Sequence, residues 1–252
     1  MICLKHPPFI RGDQEKEPLS MNITICEEAQ ERFAMSKHFR IVLFGASNTE
    51  RYAPFLHWGD ILETALLQKY GRKFHVINSG YSGSNTREAN GRFSYLVEDF
   101  KPDVVIITFG GNDANSLPER YVPEEEYKEN LRDYIKKIRA MGGIPILQTY
   151  YKPDLNKLIP LSAQYFVRYM EVIRLLAEEE KVFLVDQYSF FEKVDDMTLF
   201  YKLLLNPMHL NEAGNCLMGV NLAYHLGLHP EKILHNEKLL PAIALYQKIM
   251  EG

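Results

Sequence analysis

The sequence predicts an α/β protein: a three-layer α/β sandwich in which helices cover both faces of a parallel sheet. Three observations carry this. Five short apolar runs rich in β-branched residues recur along the 252-residue chain, most of them closed by glycine or serine. Between them lie segments with apolar residues three and four apart. Strands that alternate with helices in this way build right-handed βαβ units.

The elements follow in order. Residues 1–38 are polar and proline-containing, and are read as an N-terminal extension with a short strand over Ile23–Cys26. Arg40–Phe44 (RIVLF) is the first sheet strand and runs into Gly45. Trp58–Tyr70 places Ile61, Leu62, Ala65 and Leu66 on one helix face. Phe74–Asn78 (FHVIN) ends at Ser79-Gly80, and Val104–Phe109 (VVIITF) ends at Gly110-Gly111. A helix over Pro123–Met141 carries Tyr127, Leu131, Tyr134, Ile135 and Ile138. Ile144–Thr149 is the fourth strand, Gln164–Glu180 a helix, Val182–Val185 the fifth strand, and Glu212–Leu226 a further helix. Residues 228–252 form a tail with a helix near Pro241–Met250, where proline suits the first turn.

Composition narrows the function. The net charge is -4 with no long basic run, which gives nucleic-acid binding little electrostatic support. No stretch approaches the roughly 20 apolar residues of a membrane span. The start, MICLKHPPFIRGDQEKEP, has no continuous apolar core of a signal peptide, so a cytoplasmic location is expected. Cys3, Cys26 and Cys216 are scattered and odd in number, so neither a disulfide framework nor a zinc site is expected. No cofactor or metal is expected.

Ligands of doubly wound sheets bind beyond the carboxyl ends of the strands. Ser47, Gly80 and Asn112 all fall at that edge. Ser47 offers a hydroxyl and its own N–H, Gly80 a backbone that can approach a ligand closely, and Asn112 a side-chain amide. His209, just before a helix, offers a general base. Together these are the groups that acyl transfer needs. Each residue also has a bland alternative. Ser47 fits a turn or helix cap, Gly80 a tight turn, Asn112 or Asp113 an Asx turn, and His209 a surface or cap position. Nucleotide binding is disfavoured, since Gly45-Ala46-Ser47-Asn48-Thr49-Glu50 has one glycine where a dinucleotide site has G-x-G-x-x-G.

The combination resembles the SGNH hydrolase superfamily, the GDSL esterases and lipases. Gly45-Ala46-Ser47-Asn48-Thr49 is similar to the family's first block, Gly80 to the second, Gly110-Gly111-Asn112-Asp113 to the third, and His209-Leu210-Asn211-Glu212-Ala213-Gly214 to the last. The resemblance covers roughly residues 39–227. It implies a flavodoxin-like α/β/α fold of about five parallel strands. It also implies Ser47 as nucleophile, His209 as base, and an oxyanion hole of Ser47, Gly80 and Asn112. The C-terminal tail is expected to pack on the same domain.

Two positions depart from the family. Ala46 replaces the aspartate before the nucleophile, which is not part of the catalytic machinery. Asn206 stands where the family has the triad aspartate, three residues before the histidine. An amide oxygen can still orient imidazole but cannot supply negative charge. Asp186, Asp195 and Asp196 are the carboxylates considered as substitutes. A small-molecule ester with a small acyl group, such as an acetylated sugar, is the substrate class implied. Tyr150, Tyr151, Tyr188, Phe190, Phe191 and Trp58 would form either an aromatic rim for it or part of the core. Two alternatives stay open: a catalytically weak or silent protein that binds a glycan or partner, and an O-acyltransferase using the same serine.

Overall fold

A computed structural model describes residues 29–251 apart from 37, 52, 234 and 235. The strand expected at Ile23–Cys26 lies outside the described residues. Five parallel strands form the sheet: β1 (Phe39–Gly45), β2 (Phe74–Gly80), β3 (Val104–Thr108), β4 (Ile144–Gln148) and β5 (Phe183–Val185). Their order is β2-β1-β3-β4-β5. The chain therefore reverses its winding direction between β1 and β3, and the crevice at such a switch point is where ligands bind.

Alternation along the strands builds two cores. Ile41, Leu43, Val104, Ile106, Ile144 and Ile146 face one side. Val42, Phe44, Val105, Ile107 and Leu147 face the other. Because both faces are buried, the inner strands β1, β3 and β4 are mostly unbroken apolar runs, whereas β2 at the sheet edge is half-exposed and carries His75 and Asn78.

Helices cover each face. On the first side lie α1 (residues 29–35), α2 (Trp58–Tyr70), and two helices that close the chain. Beyond α2 come α3 (Thr86–Asn90), α4 (Phe93–Leu96), α5 (Glu124–Ala140) and α6 (Pro160–Glu180), which pack on the second side. Then follow α7 (Gln187–Glu192), α8 (Met197–Tyr201), α9 (Glu212–His225) and α10 (Leu240–Glu251). Nearly all of α9 is buried between α2 and α10, as expected of a helix that is apolar on all sides. Ala242, Ile243 and Ile249 of α10 join the same core, as do Ala29 and Phe33 of α1.

Helix α6 begins one turn before the expected Gln164, with Pro160 in the first turn, where a missing N–H costs nothing. A feature the sequence did not suggest is a small antiparallel pair, β6 (Leu204–Asn206) and β7 (His209–Leu210). Strands of three and two residues are too short to show any period. This pair carries Asn206 and His209. Among the described residues no helix is long and apolar enough to cross a membrane.

Candidate active site

The first strand ends at Gly45 and the chain turns at once. The Ala46 carbonyl accepts both the Thr49 and Glu50 N–H groups at 2.9 Å. That turn lifts Ser47 above the carboxyl edge of the sheet. The β6–β7 hairpin brings His209 to it from 162 residues away, with Nε2 at 2.9 Å from Ser47 Oγ.

Asn206 completes the line. Its Oδ1 lies 2.9 Å from His209 Nδ1 and accepts the Met208 N–H at 3.0 Å. A backbone N–H can only donate, so the amide must face it with oxygen. The same oxygen then requires a proton on His209 Nδ1, which leaves Nε2 as the acceptor for the Ser47 hydroxyl. Burial holds the His209 pKa below its ordinary value. Other carboxylates are committed elsewhere. Asp186 pairs with Arg174 at 2.7 Å and accepts from Ser189 and Thr149. Asp196 caps α8 through Thr198 and Leu199, and Asp195 is exposed.

A buried tyrosine ties the two loops together. The Tyr151 hydroxyl stands 2.9 Å from Asn48 Oδ1 and also meets the Met208 carbonyl. Asn48 Nδ2 donates to that carbonyl at 3.3 Å. The residues after Ser47 and before His209 thus share one set of hydrogen bonds. Trp58 Nε1 and the His57 ring hold the Asn48 main-chain carbonyl at 2.8 and 3.3 Å. His57 Nδ1 accepts the Gly59 N–H, so His57 caps α2.

Asn112 and Asp113 divide two tasks. Asp113 is fully buried and accepts from Thr86 N (2.8 Å), Thr86 Oγ1 (2.6 Å) and Gly110 N (3.2 Å). Burial pushes its pKa up to about 6 against those hydrogen bonds. Asn112 turns toward the crevice instead. One Nδ2 hydrogen goes to the Ser84 carbonyl at 2.9 Å, and the other is left for a ligand.

Gly80 is not placed as expected. Its N–H donates to Asn78 Oδ1 at 3.0 Å. A Cβ there would lie 2.1 Å from Glu50 N, so glycine is required by the close approach of the turn that carries Ser47. Gly83, three residues on, occupies the third position of a turn closed by Ser84 N–H to Tyr81 C=O, with φ +76°. Glycine is favoured at that conformation. Among the described residues no acceptor meets the Ser47 or Gly83 N–H. The doubled glycine in Gly80-Tyr81-Ser82-Gly83 was the available sign of this residue.

Ser47, His209 and Asn112 open into a cavity of about 320 Å³. Tyr150 and Phe166 are its aromatic lining, with Leu158, Ile159, Lys157 and Ser162 further along. The other candidate rim rings belong to the interior: Trp58, Tyr151, Tyr188, Phe190 and Phe191 are all buried in the two cores. Among the described residues no three His, Cys, Asp or Glu side chains cluster as metal ligands.

The sequence profile described as the GDSL-like Lipase/Acylhydrolase family matches residues 43–217. The isoamyl acetate-hydrolyzing esterase 1 homolog of Mus musculus is 27% identical over 224 residues, covering 79% of this chain and 86% of that protein. An acetylxylan esterase of Geobacillus stearothermophilus is 28% identical over 149 residues, covering 57% of this chain and 68% of that protein. The crystal structure of Axe2, an acetylxylan esterase from Geobacillus stearothermophilus, superposes with a TM-score of 0.67 at 24% identity, over 78% of this chain and 98% of that one. With its five-stranded sheet and a matched segment that holds every motif block, the chain belongs to the GDSL-like lipase/acylhydrolase family of SGNH hydrolases.

Proposed function

We propose that this protein is a serine esterase that hydrolyses esters of small acyl groups, acetyl above all, through an acyl-enzyme on Ser47. The observation that carries this is the line from Ser47 Oγ through the His209 ring to Asn206 Oδ1, with 2.9 Å at each contact. His209 Nε2 takes the Ser47 proton as Oγ attacks the ester carbonyl. The carbonyl oxygen, now negative, is met by the Ser47 N–H, the Asn112 amide and the Gly83 N–H, which replaces Gly80 in this role. As the intermediate collapses, His209 passes its proton to the leaving alcohol. A water molecule, deprotonated by the same nitrogen, then releases the acid and restores Ser47.

The acetyl preference is supported by the names of two relatives, which refer to isoamyl acetate and acetylxylan. An acetylated carbohydrate is the substrate class favoured, and the cavity of about 320 Å³ leaves room for an alcohol larger than methyl or ethyl. The test is p-nitrophenol release from acetyl, butyryl and octanoyl esters by wild type and Ser47→Ala. Turnover that favours acetyl and vanishes in Ser47→Ala is expected. Equal rates in the two proteins would sink the reading.

Asn206 makes a separate prediction in pH. With burial lowering its pKa and no carboxylate at Nδ1, His209 stays neutral below the ordinary histidine range. The acidic limb of kcat/KM is therefore expected below about pH 6.5. Asn206→Asp puts a negative charge against Nδ1–H and raises that pKa. The limb should move to higher pH, and kcat on the alkaline plateau should rise. A pH profile from about pH 4 to 9 reads both effects. A wild-type limb at or above the ordinary histidine value would contradict the prediction.

A further inference from the structure

We propose that Arg120 is a positioning residue of the oxyanion site. Its guanidinium holds Asn112 and the Gly83 turn together and lends its charge to the negative oxygen formed beside them. The inference rests on the serine esterase reading above.

Arg120 lies on the loop after β3, eight residues beyond Asn112. Its Nη2 donates to the Gly83 carbonyl and stands 3.5 Å from Asn112 Oδ1. Its own carbonyl accepts Asn85 Nδ2 at 3.0 Å, which fixes the loop to the start of α3. Nε is buried and has no acceptor. Among the described residues no carboxylate pairs with this guanidinium. Arg87, Arg132, Arg168 and Arg174 each pair with one or more. A partly buried cation with no counter-charge costs stability. Such costs gather where a reaction makes use of them.

Two consequences follow at Asn112. The first is orientation. A guanidinium has no acceptor, so the amide atom facing it must be Oδ1. With Oδ1 held by Arg120 and one Nδ2 hydrogen held by Ser84, the amide cannot flip, and its remaining N–H faces the cavity. The second is electrostatic. A cation at Oδ1 draws electron density away from nitrogen and strengthens that N–H as a donor. A fixed charge beside a developing oxyanion also acts with little solvent screening.

The arrangement complements the histidine side of the site. In a Ser-His-Asp triad a carboxylate stabilises the imidazolium. Here Asn206 is neutral, so the charge acting on the transition state comes from the oxyanion side.

The test is steady-state kinetics on p-nitrophenyl acetate with Arg120→Gln and Arg120→Lys, alongside thermal unfolding. Arg120→Gln is expected to lower kcat about ten-fold or more, short of the ~10²–10³ for losing a donor outright, with KM little changed. Arg120→Lys, which keeps the charge, should recover part of kcat. In an Asn112→Ala background Arg120→Gln should cost clearly less than in wild type, because the route through the amide is gone and only the Gly83 turn and the charge itself remain. Guanidinium added to Arg120→Ala should restore part of the rate. An Arg120→Gln protein with a lowered Tm and unchanged kcat would make the residue a loop staple and overturn the proposal. An undiminished loss in the Asn112→Ala background would overturn it too. Should Arg120→Gln fail to fold, Arg120→Lys decides: a kcat no higher than that of Arg120→Ala overturns the role of charge. Wild-type turnover independent of Ser47 would defeat the esterase reading and this inference together. Ser47-dependent turnover with Arg120→Gln kinetics unchanged defeats this inference alone.

Discussion

Replacing His209 by alanine should lower kcat by about 10⁶, the size seen when one member of a serine–histidine pair is removed from a serine protease. Ser47 has no other base in hydrogen-bond contact among the described residues, and its hydroxyl is a poor nucleophile while it keeps its proton. The imidazole acts twice in the proposed cycle, as base toward Ser47 and as acid toward the leaving alcohol, so both steps fail together. For that reason His209→Ala and Ser47→Ala should not add: the double variant should be no slower than either single one. Ser47 stands on a turn and His209 at the start of the two-residue strand β7, and both are only partly buried, so unfolding curves should stay close to wild type. The measurement is p-nitrophenyl acetate hydrolysis by the two single variants and the double variant. A His209→Ala protein within ten-fold of wild type would remove the histidine from the mechanism.

The second large effect is at Asn112. Asn112→Ala should cost about 10²–10³ in kcat with KM little changed, since an oxyanion donor acts mainly on charge that appears in the transition state. Asn112→Asp is a sharper probe. It keeps the shape of the side chain but presents a carboxylate to a developing negative oxygen, so it should be at least as slow as Asn112→Ala. Arg120 would gain an anionic partner in that variant, and the fold should be as stable or more so. Lost activity with retained stability is the combination that separates a transition-state contact from a structural one. Equal kcat in Asn112→Ala and wild type would exclude the amide from the oxyanion site.

Asn206 tempers what a missing triad charge implies. A free amide can turn its nitrogen toward imidazole and enforce the wrong tautomer, the main harm of such a replacement in serine proteases. The Met208 N–H prevents that turn here, because it can donate to the amide oxygen and not to the amide nitrogen. What remains lost is charge alone, so the gain expected from Asn206→Asp is smaller than the roughly 10⁴-fold that tautomer and charge make together.

Much of this was legible in the residues. Short runs rich in β-branched residues at 40–44, 74–78, 104–109, 144–149 and 182–185 indicate strands of a covered sheet, and all five strands are present, with β2 at the edge only half-buried. The helices with marked 3–4 spacing appeared within a few residues of expectation. Ser47 and Asn112 stand out as candidates because each follows a strand and a glycine, a local relation that survives in a linear sequence. His209 stands out as a candidate by the residues that follow it.

Other features depend on what meets across the chain. Periodicity reports which face of an element is buried, not which loop lies opposite. Thus Tyr151, Phe190 and Phe191 carried equal promise as pocket or core until packing buried them. Two glycines three residues apart were equivalent as letters. Asn78 claims the N–H of one and a turn leaves the other free. The β6–β7 pair was too short for any period to reveal, and its contacts bring Asn206 Oδ1 to His209. Arg120 meets Asn112 only because the α3 and post-β3 loops are held side by side. Local composition sets the elements and the chemically capable residues. Their orientation and pairing come from distant segments closing on one another, which no short window of sequence contains.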